Sequence, residues 1–137
     1  MEFPALGREA GVSLTAEARH DFAVVIPAFN EVPVVPALIS ELRATFERHE
    51  LSGEVLFVDD GSTDGTADLV ETEAGGWPLL KVLRHPTNLG KTEAMITASR
   101  ATERTYLVLF DADLQHLPDR IPRFLEKLHA GWDIVTG

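Results

Sequence analysis

The sequence predicts an α/β fold, a mostly parallel sheet with helices on both faces that is incomplete at the C-terminal side. Three observations predict it. Short apolar runs alternate with amphipathic stretches from Phe22 to the end. The stretches between runs are long enough to hold a helix, as crossovers between parallel strands require. The runs are apolar throughout rather than alternating, as in strands covered on both faces.

The elements follow in chain order. Residues 1–20 mix Glu2, Arg8, Glu9, Glu17 and Arg19 with small residues. They lack the apolar stretch of a secretion signal and are expected to form a poorly ordered leader, leaving 21–137 as the folded domain. Phe22-Ala23-Val24-Val25-Ile26-Pro27 is β-branched and bounded by proline, hence a buried strand. A helix follows, its start marked by Pro33 and Pro36, with Val35, Leu38, Ile39, Leu42 and Phe46 on one face.

Glu54 to Val58 is the second strand. It runs into Asp59-Asp60-Gly61-Ser62-Thr63-Asp64-Gly65-Thr66, a turn that feeds a helix near Ala67 to Glu73. Leu79 to Leu83 is the third strand. Asn88-Leu89-Gly90 then opens a helix through Ala94, Met95 and Ala98 to about Ala101. Tyr106 to Phe110 is a fourth, wholly apolar strand ending in Asp111-Ala112-Asp113. A helix with Ile121, Phe124, Leu125 and Leu128 on one face leads to a fifth strand, Trp132 to Thr136. A domain ending on that strand leaves an edge or face open, to be covered by further chain or by a partner through self-association.

Composition narrows the function. The chain has 137 residues, 45% of them hydrophobic, which suits one globular domain with a real core. The lack of cysteine removes disulfides, zinc–thiolate sites and thiol nucleophiles, and fits a reducing, cytoplasmic compartment. No run approaches the length needed to span a bilayer. With 12 Lys+Arg against 22 Asp+Glu the formal charge is −10, and no basic stripe is present, which argues against a nucleic-acid binder. An anionic ligand therefore needs a local device, such as a metal ion or a helix N-terminus.

The polar clusters Asn30-Glu31, Asp59-Asp60 and Asp111-x-Asp113 each end an apolar strand. Carboxyl ends of parallel strands share one rim, where ligands bind. Singly, each cluster reads as a turn or a helix cap; three on one rim, with Gly90-Lys91 between them, point to a site. Asp111 and Asp113, two residues apart at a strand end, can share a hard divalent cation. The Gln115 carbonyl is a further oxygen ligand, which suits Mg²⁺ or Mn²⁺. His116 adjoins this stretch and reads as neither ligand nor base.

Three other readings meet obstacles in the sequence. Gly90-Lys91-Thr92 resembles the end of a P-loop, but the first glycine of that motif would fall at His85. Asp60 to Glu71 satisfies most of an EF-hand loop, but a strand precedes it where a helix is needed. A phospho-receiver-like signalling domain pairs acids in the same manner. It leaves the unit from Phe22 to Glu50 without a use and too little chain after Pro118, and ranks second.

Four motifs in order carry a resemblance. They are Val25-Ile26-Pro27-Ala28-Phe29-Asn30-Glu31, Val58-Asp59-Asp60-Gly61-Ser62-Thr63-Asp64-Gly65-Thr66, Asn88-Leu89-Gly90-Lys91 and Asp111-Ala112-Asp113-Leu114-Gln115-His116. Over roughly Phe22 to Gly137 the chain resembles the family 2 glycosyltransferases of GT-A (Rossmann-like) fold, and most of all their polyprenyl-phosphate branch. The resemblance implies metal-dependent binding of a nucleoside-diphosphate sugar. It also implies transfer with inversion to an acceptor such as a polyprenyl phosphate, a membrane lipid, at the cytoplasmic face.

By motif, Pro27, Phe29 and Glu31 match positions beside the nucleoside and Asp60 the position that holds the base. Gly90 and Lys91 match the helix start near the diphosphate. Asp111 and Asp113 match the catalytic DxD pair, Asp111 also meeting the nucleotide, and Asp111, Asp113 and Gln115 the metal ligands. Thr92-Glu93 replaces the family's usual small residue after Gly-Lys, so the Lys91 role requires Glu93 to point away. The family's acceptor-side motifs lie beyond the fifth strand, so this chain is expected to be the nucleotide-binding half, catalytically incomplete by itself.

Overall fold

The computed structural model describes residues 14–112 and 120–129. Its strands are β1 (Phe22–Ala28), β2 (Glu54–Asp59), β3 (Leu80–Arg84) and β4 (Tyr106–Leu109). The helices are α1 (Ala16–His20), α2 (Val35–Arg48), α3 (Thr66–Ala74), α4 (Lys91–Arg100) and α5 (Ile121–His129). All described strand pairs are parallel, in the order β3-β2-β1-β4. That order, with β1 bordered by β2 and β4, is not the 2-1-3-4-5 order of the flavodoxin-like class, and the receiver-type alternative falls with it. The expected fifth strand, Trp132 to Thr136, lies outside the described residues.

Both faces of the sheet are covered, as the continuous apolar runs require. Phe22, Val24 and Ile26 of β1 join Val55, Phe57 and Val108 on one face, against α2, α3 and α5. Ala23 and Val25 join Leu56 and Val58 on the other, where Ala94 and Ala98 of α4 lie flat. The small alanines of α4 let the helix approach the sheet closely. The five positions expected to face the core from α2, namely Val35, Leu38, Ile39, Leu42 and Phe46, are all buried. Pro33 lies in a single 3-10 turn, Val32–Val34, and Pro36 in the first turn of α2, where a missing N–H costs nothing.

The expected leader extends to His20, yet its last residues form α1. Thr15 caps that helix by accepting from the Ala18 amide at 3.0 Å, and α1 packs against α5. Asp21 and Arg104 tie the segment down, the Asp21 carboxylate accepting from Thr105 N at 2.7 Å and the Arg104 guanidinium donating to the His20 carbonyl. A five-residue helix has little stability of its own, so these tertiary contacts hold it, and nothing in the local sequence pattern announces them.

Pro27 decides where the sheet opens. The β1–β2 ladder runs up to Ala28 opposite Asp59, whereas the β1–β4 ladder stops at Val25 opposite Leu109. Its last bond is from Phe110 N to Val25 O at 2.8 Å. In a parallel ladder alternate residues face the same neighbour, so the next rung would need an N–H from residue 27, and proline has none. The carboxyl ends of β1 and β4 are therefore free to part. The chain order also reverses between these two strands, the place where open α/β sheets form their crevice.

Candidate functional site

A cleft of about 350 Å³ occupies that crevice, lined by Pro27, Ala28, Phe29, Glu31, Asp60, Asn88, Gly90, Lys91 and Asp111. Small-molecule sites commonly span roughly 300–1,000 Å³. Every expected site residue within the described part of the chain lines this cleft: Pro27, Phe29, Glu31, Asp60, Gly90, Lys91 and Asp111. Asp113 and Gln115 lie outside the described residues.

Two loops after β1 and β2 form one wall, and four hydrogen bonds stitch them together. The Asn30 amide donates to Ser62 Oγ at 2.8 Å, and Asn30 Oδ1 accepts from Thr63 N at 2.9 Å. The Glu31 amide donates to Thr66 Oγ1 at 2.9 Å, and the Val32 amide to Asp64 Oδ2 at 3.4 Å. Asn30 adopts φ 55°, a left-handed conformation that asparagine tolerates better than most residues. Thr66, fully buried, donates its hydroxyl to Asp64 Oδ1 at 2.5 Å. Its hydroxyl bond, ahead of opposing desolvation and the Val32 and Thr66 amide bonds, keeps the Asp64 carboxyl below its ordinary range. Asp64 also accepts from the Thr66 amide at the start of α3 at 3.0 Å, and strand β2 stands where an EF-hand needs its first helix, which disposes of that reading.

Asp60, the first residue after β2, ties that wall to the loop ahead of α4. Its Oδ1 receives the Leu89 amide at 2.8 Å and pairs with His85 Nδ1 at 2.8 Å, while Oδ2 receives the Gly90 amide at 2.9 Å. Burial pushes this carboxyl up. The His85 hydrogen bond, then those from Leu89 and Gly90, outweigh burial and hold it below the ordinary aspartate range. A carboxylate has about four lone-pair sites, and these bonds occupy three of them. Gly61, at φ 80°, lets the loop close in: a Cβ there would lie 2.4 Å from the Thr87 carbonyl carbon.

Sequence reasoning missed His85, which entered only as the residue that disqualifies a P-loop. The ring is buried, with Nε2 2.8 Å from Thr97 Oγ1 on α4. Its sole sequence signal was a histidine at a strand end, which is weak. Asn88 was also passed over, although it lines the cleft.

Lys91, at the head of α4, reaches across the cleft to Asp111, with Nζ 2.5 Å from Oδ2. Its side chain is 64% exposed and that of Asp111 18%. Glu93, which the sequence required to point away, is exposed. Asp111 offers acceptor-only oxygens of the kind a hard divalent cation prefers. Among the described residues no group of three or more His, Asp or Glu side chains is placed to hold an ion, and of the three expected ligands only Asp111 lies within them.

Phe29 and Leu89 are the exposed large apolar residues of the described chain, at 43% and 48%. Phe29 lines the cleft, and Leu89 immediately precedes Gly90. No helix among the described residues is long and apolar enough to cross a membrane.

The chain is 36% identical over 115 residues to an undecaprenyl-phosphate 4-deoxy-4-formamido-L-arabinose transferase of Aeromonas hydrophila, covering 82% of this chain and 35% of that protein. It is 33% identical over 113 residues to a bactoprenol glucosyl transferase of Shigella phage SfX, covering 82% and 37%. The chain thus spans about a third of the length of these relatives.

Among solved structures, a mannosyltransferase from Pyrobaculum calidifontis in complex with GDP-Man and Mn²⁺ superimposes with a TM-score of 0.67 at 29% identity, covering 79% of this chain and 32% of that one. Glucosyl-3-phosphoglycerate synthase from Mycobacterium tuberculosis, in complex with Mn²⁺, UDP and glucosyl-3-phosphoglycerate, gives 0.65 at 26%, covering 82% and 41%. The fold is that of the GT-A glycosyltransferases. The model of glycosyl transferase family 2 matches residues 23–137, and the chain belongs to that family.

Proposed function

We propose that the cleft binds the nucleoside-diphosphate part of a sugar donor with a divalent cation, Mg²⁺ or Mn²⁺. The chain then serves glycosyl transfer, with inversion, to a polyprenyl phosphate at the cytoplasmic face of a membrane. One observation carries the reading: seven motif residues from separate stretches of sequence line a single cleft at the β1/β4 switch point. Relatives named for undecaprenyl-phosphate and bactoprenol transfer, and neighbours holding GDP-Man or UDP with Mn²⁺, support it.

Each residue has a part that its position supports. Phe29 presents an exposed ring to a base or ribose, and Pro27 and Glu31 border the same end of the cleft. Asp60, with one acceptor site left, offers a base one hydrogen bond and otherwise braces the loop that carries Gly90. The first amides of α4 and the Lys91 ammonium face the region where a diphosphate carries its charge. Asp111, with Asp113 and Gln115 by sequence, would hold the cation, which when bound supplies Lewis-acid neutralisation of the departing diphosphate.

The β3 edge carries the exposed Lys81 and Arg84, charges that oppose pairing with a second copy.

Calorimetric titration of the protein with GDP and UDP, with and without Mn²⁺, tests the reading. Binding strengthened by Mn²⁺ in the wild type, with that gain lost in Asp113→Ala, is expected. Gln115→Ala should lose less, since a neutral carbonyl contributes less than a charge. No binding of either nucleotide, or an unchanged metal dependence in Asp113→Ala, overturns it.

A further inference from the structure

We infer that His85 is the positioning residue of the donor-phosphate loop, holding the Asp60 carboxylate where it can clamp the Leu89 and Gly90 amides and so fixing the head of α4 against the cleft. It acts through Asp60 and does not itself line the cleft. The inference rests on the reading of the cleft as a nucleoside-diphosphate site.

The geometry is that of a brace anchored at every end. His85 directly follows β3, and its amide donates to the Asp59 carbonyl at 2.8 Å. Its ring then bridges β2 to α4, from Asp60 Oδ1 at 2.8 Å to Thr97 Oγ1 at 2.8 Å. Thr97 lies six residues into the helix that begins at Lys91, so the same ring steadies both the loop and the helix it leads into.

Asp60 is an acceptor only, so Nδ1 carries the proton of that bond. The Thr97 hydroxyl can donate to a neutral ring or accept from a charged one, and both bonds persist in either state. That arrangement suits a brace. Without the imidazole, the buried Asp60 loses its side-chain partner and is free to rotate away from the two amides. Nothing else described in the structure holds Asp60 from that side. Among the described residues the Leu89 and Gly90 amides donate to Asp60 and to no backbone carbonyl.

The experiment compares wild type, His85→Ala, His85→Gln and Thr97→Val in the 137-residue protein by two measurements. The first is residue-resolved amide hydrogen exchange without ligand. In His85→Ala the Leu89 and Gly90 amides should exchange about tenfold faster, a loss of about 1.4 kcal/mol of local protection, while the amides of Val24, Val25 and Leu56 keep theirs. His85→Gln, whose amide can still donate to Asp60, should restore part of the protection. Thr97→Val should move the same two amides by a smaller factor, and carries the test if His85→Ala does not fold.

The second measurement is titration with GDP and UDP in Mn²⁺, where affinity should fall in the same order as protection. Unchanged exchange at Leu89 and Gly90 in the folded variants, or a uniform rise across all amides, overturns the assignment. Failure of the wild type to bind either nucleotide sinks the reading of the cleft, and the exchange pattern still decides the role of His85.

Discussion

Lys91 Nζ lies 2.5 Å from Asp111 Oδ2, joining the first residue of α4 to the carboxylate that follows β4. The pair spans the cleft and occupies one oxygen of the acid proposed here as a cation ligand. A metal ion arriving alone must therefore displace the ammonium, whereas a metal–diphosphate complex brings phosphate oxygens that can take the lysine over.

Opposite effects on two ligands follow from that pair. Lys91→Met should bind Mn²⁺ alone about two- to fivefold more tightly, the range of an exposed ion pair worth up to about 1 kcal/mol. The same variant should bind GDP or UDP with Mn²⁺ more weakly. Calorimetry with the metal alone and with metal plus nucleotide checks both signs. Weaker binding of the metal alone would show that Lys91 does not compete for Asp111.

Asp60→Asn should cost about 1–3 kcal/mol of stability, because an amide group must turn one N–H toward a donor in a buried position. Nucleotide affinity should fall with it while metal dependence survives. Loss of stability with affinity intact would leave Asp60 a brace alone, with no contact to the base.

The pH dependence follows from the direction of the Asp60 shift. Its folded carboxyl sits below the ordinary value, and an unfolded aspartate titrates near about 3.9. The stabilisation is complete above that pH and is lost as pH falls through the folded value. Denaturant unfolding followed from pH 6 downward should show stability dropping below about pH 4, with Asp60→Asn flattening that part of the curve.

Gly61→Ala should destabilise the protein by more than the roughly 1 kcal/mol typical of glycine-to-alanine changes at positive φ. The new Cβ meets Thr87 backbone at 2.4 Å, and backbone cannot swing aside as a side chain can. Thermal unfolding measures the loss. The displaced loop carries Asn88 to Gly90, so nucleotide affinity should fall too. A neutral effect on both quantities would mean that the loop has room the structure does not show.

Thr66→Val removes a hydroxyl that accepts from Glu31 N and donates to Asp64. Losing such a half-buried hydrogen bond costs about 0.5–1.5 kcal/mol, read as a fall in unfolding free energy. Thr66→Ser, which keeps the hydroxyl, should recover most of it. Equal losses in the two variants would assign the effect to packing instead.

What the sequence by itself determined were the elements and their ends. Each buried strand announces itself by a run such as Phe22 to Ile26, and α2 by the spacing of Leu38, Leu42 and Phe46, because burial repeats along an element with that element's own period. The acids at the strand ends were legible for the same reason, since Asp59, Asp60 and Asp111 stand where apolar runs stop. Only the tertiary structure decided which strands are neighbours. The order β3-β2-β1-β4 puts Pro27 just past the last β1–β4 pair, Val25 and Leu109, opens the sheet there, and brings Lys91 to Asp111 and His85 to Asp60 across gaps of 20 and 25 residues. The local pattern of a strand reports how deeply it is buried and not what lies beside it. A buried histidine, a 3-10 turn and a five-residue helix tied to the rest by Asp21 and Arg104 take their form from that lateral arrangement.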